Sequence, residues 1–488
     1  MNAQIIKLFG FVLALYALIL GFTSYWSVFE AKGLKDNLAN KRPLLEEQQI
    51  KRGEILASDG KTVIAHSTQR GSGANKIYVR DYPEGELYGN PIGYSFVNRG
   101  RVGFEQSHND ELVGNQTEFL SVFDELQGHR QAGDNVVSSL DPEAQRLATE
   151  ALGSQKGSIV AIEPSTGKVR VMVSNPTYDP NQISDSAGFQ RLENDPDSPI
   201  LNRAVQARYP PGSTMKVVTA AAALDSGEFT PDSQVSGKTG VPISGVPLSN
   251  FGGESYGDVD LTFALTHSIN TVWAQVAEKL GKDTVYKYMD RFGFDRKPQL
   301  DYPPTQLEIS GVFGSGGQLL DQSDSVDIGR VAIGQERLQV TPLQMAEVAA
   351  AVANKGKLME PRLWQQVIDT DQRTTDMQPE QAATVISEDS AAELTKMMTD
   401  VVNEGTGTAA ALETDQVAGK TGTAEIDPSA NINQPWFIGF APAEDPKVAI
   451  AVTIERSSGE GGTVAAPIAQ KILELLLGNS QSGTSGNG

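Results

Sequence analysis

Tyr209-Pro-Pro-Gly-Ser-Thr-Met-Lys-Val-Val-Thr-Ala220 is the stretch on which the reading of this chain turns. Pro210, Pro211 and Gly212 break what precedes, and Val217 to Leu224 can carry a helix. Ser213 then stands at the helix start, where unpaired backbone N–H groups and the positive dipole end favour a developing anion. Ser213 and Lys216, spaced i and i+3, share one face of that helix. A serine hydroxyl is a poor nucleophile until a base removes its proton, and Lys216 is the base within reach. A short stretch thus combines a nucleophile, a base and an electropositive pocket.

Ser-x-x-Lys alone is common, and it recurs at Ser165-Thr-Gly-Lys168. That copy lies between Ile159-Val-Ala-Ile162 and Val169-Arg-Val-Met-Val173, with Pro164 and Gly167 inside it, so it reads as a hairpin turn with no helix to aim the lysine. Two further triplets give the first motif company. Ser268-Ile-Asn270 falls between two helical segments, Leu261 to Thr266 and Val272 to Ala277. Lys420-Thr-Gly-Thr-Ala-Glu425 follows Val417-Ala-Gly419 and reads as a strand. Decoys exist: Ser107, Ser429 and Ser485 begin Ser-x-Asn triplets, and Lys238-Thr-Gly240 is a second Lys-Thr-Gly, demoted as a strand by nearby Pro242. Only the set at 213, 268 and 420 has each member in a fitting context.

Ser-x-x-Lys with a Ser-x-Asn and a Lys-Thr-Gly is the motif set of class A β-lactamases and penicillin-binding proteins, here with Ile269 in the middle of the second motif. The chain resembles the class B penicillin-binding proteins, membrane-anchored monofunctional D,D-transpeptidases that crosslink peptidoglycan. The likeness covers nearly everything but the C-terminal tail. Arg52-Gly-Glu-Ile55 with Asp59-Gly60 looks like the family's signature after the anchor, and Tyr82-Pro-Glu-Gly85, Gly93-Tyr94 and Gly103-Phe-Glu105 look like its N-terminal domain. Tyr178-Asp-Pro-Asn181, Ala332-Ile-Gly-Gln335, Thr341-Pro-Leu343 and Trp436-Phe-Ile-Gly-Phe-Ala-Pro442 look like its catalytic domain. The N-terminal pattern most resembles the actinobacterial A-type members.

With 488 residues the chain suggests two or three domains. A net charge of −21 argues against nucleic-acid binding, which needs a basic surface, and fits a solvated ectodomain. With no cysteine there is no disulfide, thiolate metal site or cysteine nucleophile. His66, His108, His129 and His267 are scattered, so no metal and no cofactor is expected, and no Gly-x-Ser-x-Gly elbow marks an α/β-hydrolase.

Leu8 to Phe29 carries no charge and reaches about 33 Å as a helix, enough to span a bilayer. Tyr25 and Trp26 suit an interface, and no small-x-small cleavage site follows, so a retained anchor is expected rather than a signal peptide. Lys7 before the span against Lys32, Lys35, Lys41 and Arg42 after it does not favour an N-inside orientation. The single-pass protein is nevertheless expected to hold its catalytic domain outside the cell, where the apparent substrate is.

The resulting division is a cytoplasmic stub and transmembrane anchor at 1–30, an N-terminal pedestal or dimerisation-type domain at 31–150, a transpeptidase domain at 151–478 and a disordered Gly/Ser/Asn-rich tail at 479–488. Asp141 caps a helix that opens at Pro142. Strands at Ser158–Ile162 and Lys168–Val173, then Ala418–Ile426, Pro435–Phe440 and Lys447–Glu455, bracket mostly helical sequence, with a last helix at Ala466–Leu477. This order predicts an α+β fold with a five-stranded antiparallel sheet flanked by helices, matching the penicilloyl-serine transferase fold that the resemblance implies. Pro303 to Ser325 is expected to form a loop near the site.

The resemblance implies roles for each motif. Ser213 attacks the carbonyl of the penultimate residue of a stem peptide ending in D-Ala-D-Ala, and Lys216 takes its proton. Ser268 relays a proton to the leaving amine, and Asn270 orients Lys216 or the donor. Lys420 supplies positive charge, Thr421, Gly422 and Thr423 line the donor, and the N–H groups of Ser213 and Thr423 form the oxyanion hole. β-Lactams acylate the same serine. Partners implied are peptidoglycan stem peptides, a membrane-embedded glycan polymerase, and other cell-wall or division proteins; nucleic acid is not among them. A serine β-lactamase shares the motifs, but no Glu-x-x-Leu-Asn segment supplies its deacylating base and the anchor is superfluous to it. A non-enzymatic β-lactam receptor expects more than the few residues that precede the span. A D,D-carboxypeptidase shares every motif and stays open.

Overall fold

The structure, a computed structural model, describes residues 2–30, 45, 47–114, 132–321 and 325–484. The flanking charges Lys32, Lys35, Lys41 and Arg42, and also His129 and the Ser485 triplet, lie outside these residues.

Five strands form the central sheet: β1 (Gly157–Ile162), β2 (Val169–Asn175), β3 (Ala418–Asp427), β4 (Ile432–Ala441) and β5 (Val448–Ile454). Their order is β3-β4-β5-β1-β2, every neighbour antiparallel, as the sequence predicts. Strand residues alternate between two cores. Ile159, Ala161, Phe437, Ile450 and Val452 face the helices α1 (Pro142–Leu152) and α6 (Ala466–Thr484). Val160, Met172, Trp436, Ile438 and Ala451 face the larger core with α2 (Lys216–Asp225), α3 (Asn270–Leu280), α4 (Pro342–Ala353) and α5 (Glu388–Asn403). Val217 to Leu224 are all buried, so α2 is apolar all round because it runs through the core.

The decoy motifs fall where their context puts them. Ser165 to Lys168 make the turn between β1 and β2. Lys238 to Gly240 make another turn, and Pro242 lies in a two-stranded hairpin, Val241–Ile243 with Val246–Leu248, where both strands are edges.

One sheet draws strands from both sides of the expected boundary. This six-stranded sheet of the pedestal runs Thr374–Asp376, Trp364–Ile368, Asn135–Ser138, Ile55–Leu56, Val63–Arg70, Ile77–Asp81. Two of its strands therefore come from inside the 151–478 span. Conversely, α1 starts in the 31–150 span but packs Ala144, Ala148 and Leu152 against the central sheet. Tyr178 to Asn181 also belongs to the junction: Asn181 accepts from Tyr82 N at 3.1 Å and donates to Tyr82 O at 2.9 Å. Tyr302 donates to Asn90 O at 2.8 Å, and His108 Nε2 meets Asp301 Oδ2 at 3.0 Å.

Three smaller expectations change. α6 runs on through Thr484 into the expected disordered tail, since Gly478 keeps a helical φ and makes no cap. Pro303 to Ser325 is not all loop: Gly311–Val312 pairs with Leu338–Gln339. The N-terminal helix Asn2–Ser24 continues as a π-turn over Tyr25–Phe29, and Ala3–Phe29 contains an 18-residue stretch of mean hydropathy 2.4 with none of it buried.

The pedestal is locked by Glu105, which is wholly buried. Arg80 Nε reaches its Oε1 at 2.5 Å and Arg52 Nε its Oε2 at 2.8 Å, so two of the sequence signatures, Arg52-Gly-Glu-Ile55 and Gly103-Phe-Glu105, meet in one ion cluster. Burial raises the Glu105 pKa, but the Arg80 and Arg52 charges and hydrogen bonds outweigh it and hold the carboxyl at about 2. A depressed carboxylate stabilises the fold above its unfolded pKa of about 4.5, and that contribution disappears as pH falls through about 2. In detergent-solubilised full-length protein, the unfolding temperature should therefore drop between pH 4.5 and pH 2. Arg80→Met, which strands part of the buried charge, should cost about 3–5 kcal/mol. A Tm indifferent to both changes would refute the clamp.

Candidate active site

Gly212–Met215 forms a single 3₁₀ turn, and α2 starts at Lys216. Residues i and i+3 eclipse in a 3₁₀ turn, so Lys216 lies beneath partly exposed Ser213 more directly than α-helical spacing would place it. Gly212 has φ +53°, and a Cβ there would lie 3.0 Å from Ala424 N and 3.2 Å from Thr423 N. Its N–H donates to Gly334 O at 3.0 Å. Gly334 has φ +75°, and a Cβ on it would fall 1.9 Å from Gly212 O. The Ala332-Ile-Gly-Gln335 signature is thus the other wall of the Ser213 turn, tied to α2 by Thr219 Oγ1 donating to Ala332 O at 2.7 Å.

Ser268 sits between the helix Leu261–Thr266 and α3 with φ +56°, a conformation uncommon for a non-glycine residue. That backbone turns both its hydroxyl and its carbonyl to one side. Lys216 Nζ donates to Ser268 O at 2.8 Å and to Asn270 Oδ1 at 2.6 Å, and lies 3.2 Å from Ser268 Oγ. Lys420 Nζ donates to the same Ser268 Oγ at 2.9 Å and to Thr421 O at 3.0 Å. Three motifs separated by up to two hundred residues therefore meet on one hydroxyl. Ile269, the unusual middle residue, points into the core and is 1% exposed.

Neither lysine is exposed to solvent. Burial, then the charge of Lys420, pushes Lys216 well below the ordinary lysine range. Burial brings Lys420 down to about 7. Two cations in one dry site disfavour each other, so Lys216 can lose its proton while Lys420 keeps its charge. A neutral amine under a serine hydroxyl is a general base, and a cation beside an edge strand attracts an anion.

β3 is one of the two edge strands of the sheet. Its Thr421 carbonyl accepts from Lys420 Nζ and so faces the cleft, and Thr423, two residues on, faces the same way. The Thr423 N–H is therefore beside the Ser213 turn. The structure brings together all the residues that the sequence singled out: Ser213, Lys216, Ser268, Asn270, Lys420, Thr421, Gly422 and Thr423. Sequence reasoning missed two neighbours. Thr406 Oγ1 lies 2.6 Å from Thr421 Oγ1, and Gly461 N donates to Thr423 Oγ1 at 3.2 Å. Their signal was weak: Thr406 stands between two glycines, and Gly461 sits in the Gly459 to Gly462 run, where a Cβ would fall 2.2 Å from Trp436 O.

Comparison with known proteins agrees with this arrangement. Residues 157–474 match the penicillin binding protein transpeptidase domain, and residues 52–136 match the penicillin binding protein A dimerisation domain. The chain is 35% identical to the peptidoglycan D,D-transpeptidase PbpA of Mycolicibacterium smegmatis, over 98% of this chain and 99% of the relative. It is 34% identical to that of Mycobacterium tuberculosis, over 98% and 99%. The fold superposes on penicillin-binding protein A from M. tuberculosis, solved as a ceftriaxone acyl-enzyme complex, with TM-score 0.79 and 33% identity over 89% of this chain and 100% of that one. Its penicillin G acyl-enzyme complex gives TM-score 0.77 and 32% identity over 88% and 100%. With two family domains in order and near end-to-end matches to actinobacterial relatives, this chain belongs to the class B penicillin-binding proteins, among the A-type D,D-transpeptidases.

Proposed function

We propose that this protein crosslinks peptidoglycan by acyl transfer through Ser213. The observation that carries the reading is the Ser268 hydroxyl held between Lys216 and Lys420. The donor is a stem peptide ending in D-Ala-D-Ala. Ser213 Oγ attacks the carbonyl carbon of the penultimate residue while Lys216 takes the hydroxyl proton. The oxyanion that forms accepts from the N–H groups of Ser213 and Thr423, a device worth about 3–4 kcal/mol per donor. As the C–N bond breaks, the proton passes from Lys216 through Ser268 to the departing D-Ala amine. An amine of a second stem peptide then attacks the ester carbonyl and gives its proton to Lys216, which passes it to Ser213 Oγ as the ester C–O bond breaks.

The donor's terminal carboxylate lies against Lys420 and the Thr421 and Thr423 hydroxyls, all charge-assisted contacts. Thr406 and the Gly461 N–H fix those two hydroxyls. Asn270 orients Lys216 through the 2.6 Å contact. A β-lactam presents the same carboxylate and a strained amide, so it acylates Ser213 in the donor's place.

The N-terminal apolar helix anchors the protein in the cell membrane, with the pedestal and catalytic halves on the outer side, where stem peptides are found. A membrane-embedded glycan polymerase, together with other cell-wall or division proteins, would supply the strands to be joined.

Labelling of the full-length protein with a fluorescent penicillin, followed by mass mapping, should place one adduct on Ser213, and Ser213→Ala should abolish it. Labelling that moves to Ser165→Ala sensitivity instead would overturn the assignment.

The acylation rate should rise with pH as Lys216 loses its proton, with a limb well below the ordinary lysine value of 10.5. It should fall again where Lys420 loses its charge. An anionic donor against Lys420 raises that second pKa, so the falling limb at saturating substrate should lie above about 7. A rising limb near 10 would remove the neutral-lysine mechanism.

Lys420→Ala should slow acylation about a hundredfold or more, at about 1.4 kcal/mol per tenfold. Lys238→Ala, in its distant turn, should stay within a few-fold of wild type. Equal losses in side-by-side rate measurements would count against the site described above.

A further inference from the structure

The approach to Ser213 is held one residue at a time by successive strands of the central sheet. Tyr209 is tied from the end of β5: its phenol donates to Glu455 Oε1 at 2.5 Å. Pro210 is tied from β4: Trp436 Nε1 donates to its carbonyl at 2.9 Å. Pro211 and Gly212 rest on β3. A Cβ on Gly422 would lie 2.7 Å from Pro211 O, and one on Gly212 would lie 3.0 Å from Thr423 C. Four consecutive residues thus lean on three neighbouring strands, and Ser213 is the fifth.

The outermost tie is also the most firmly based. Arg203 Nε donates to the same Glu455 Oε1 at 2.9 Å, and its two terminal nitrogens end on Ser198 O at 3.1 Å and Asp197 O at 2.6 Å. Tyr209 also exchanges both backbone hydrogen bonds with Val340, at 2.9 and 2.8 Å, and its ring packs edge-on to Trp436, with centroids 6.2 Å apart. Burial, and then the neighbouring carboxylate of Glu455, keeps the phenol protonated as a donor. None of these side chains is among those placed against the donor peptide. A phenol bonded to a carboxylate that is itself held by an anchored arginine has a stiff support, and a reacting atom misplaced by about 1 Å can lose roughly a hundredfold in rate.

We propose that Tyr209, Glu455 and Trp436 are positioning residues for acylation, setting where the Ser213 hydroxyl stands over Lys216 and beside the Thr423 N–H. This rests on Ser213 being the acylated residue. Their loss acts on the chemical step and spares recognition, because Lys420, Thr421 and Thr423 keep their own contacts.

The test is stopped-flow acylation of full-length protein in detergent by a fluorescent penicillin, resolving the non-covalent dissociation constant from the acylation rate constant. Rates are scored per mole of labelled Ser213, so unfolded protein does not enter. Tyr209→Phe and Trp436→Phe should each lower the rate constant about tenfold and leave the dissociation constant within twofold. The rising limb of the pH profile should stay in place, since Lys216 keeps its surroundings. Glu455→Gln, which still offers the phenol an acceptor, should lose less than Glu455→Ala. Rate constants within twofold of wild type for both Phe variants, a loss that falls on the dissociation constant, a displaced pH limb, or equal losses in the two Glu455 variants would each overturn the proposal. Failure of the wild-type protein to label at Ser213 would instead overturn the functional reading beneath it.

Discussion

Two lysine side chains share one serine hydroxyl in this protein, and neither is exposed to solvent. Burying like charges side by side is expensive, and the least costly response is for one of them to give up its proton. A buried lysine pair is thus a device for producing a free amine well below the pH at which an exposed lysine loses its proton. The cost is carried by the rest of the fold. Lys216 opens a helix that is apolar all round, Lys420 lies on an edge strand of a sheet packed on both faces, and Ser268 is fixed in a left-handed conformation between two helices. Relaxing any of the three would let water in and restore both charges.

The catalytic half is not free-standing. Residues from the two halves meet at the junction: Asn181 with Tyr82, both from quoted signatures, Tyr302 with Asn90, and Asp301 with His108. Behind them, Glu105 joins Arg52 and Arg80 inside the pedestal. Directed hydrogen bonds, together with two pedestal strands drawn from residues 364–376, therefore join the two halves.

Most of the site was legible because its chemistry is local. Ser213 and Lys216 lie within one turn, and β1, β2, β4 and β5 are apolar runs buried on both faces, a pattern that survives in sequence. What escaped was non-local. Nothing around Trp364 to Ile368 announces a partner at Asn135 to Ser138, since the strand is only half-buried along its length and its pairing depends on context. Thr406 has its place through one hydroxyl on Thr421, and Gly461 through an N–H on Thr423 Oγ1. The φ of Ser268 is imposed by the helices on either side and has no residue preference to betray it. The helix past Leu477 was missed for the opposite reason: composition spoke for disorder, whereas backbone continuity decided the outcome.

The crossing of the pedestal sheet by strands from residues 364–376 has a bearing on how the protein is made. A chain grows from its N-terminus, and about 225 residues separate Ser138 from Trp364. Until that later strand emerges, Asn135–Ser138 offers an unpaired flank, and edges of that kind recruit whatever strand is at hand. The pedestal sheet is begun first and stays open until residues 364–376 have been made. Its completion records that translation has passed most of the catalytic half, so a chain cut short before residue 364 betrays itself by an open sheet beside the membrane.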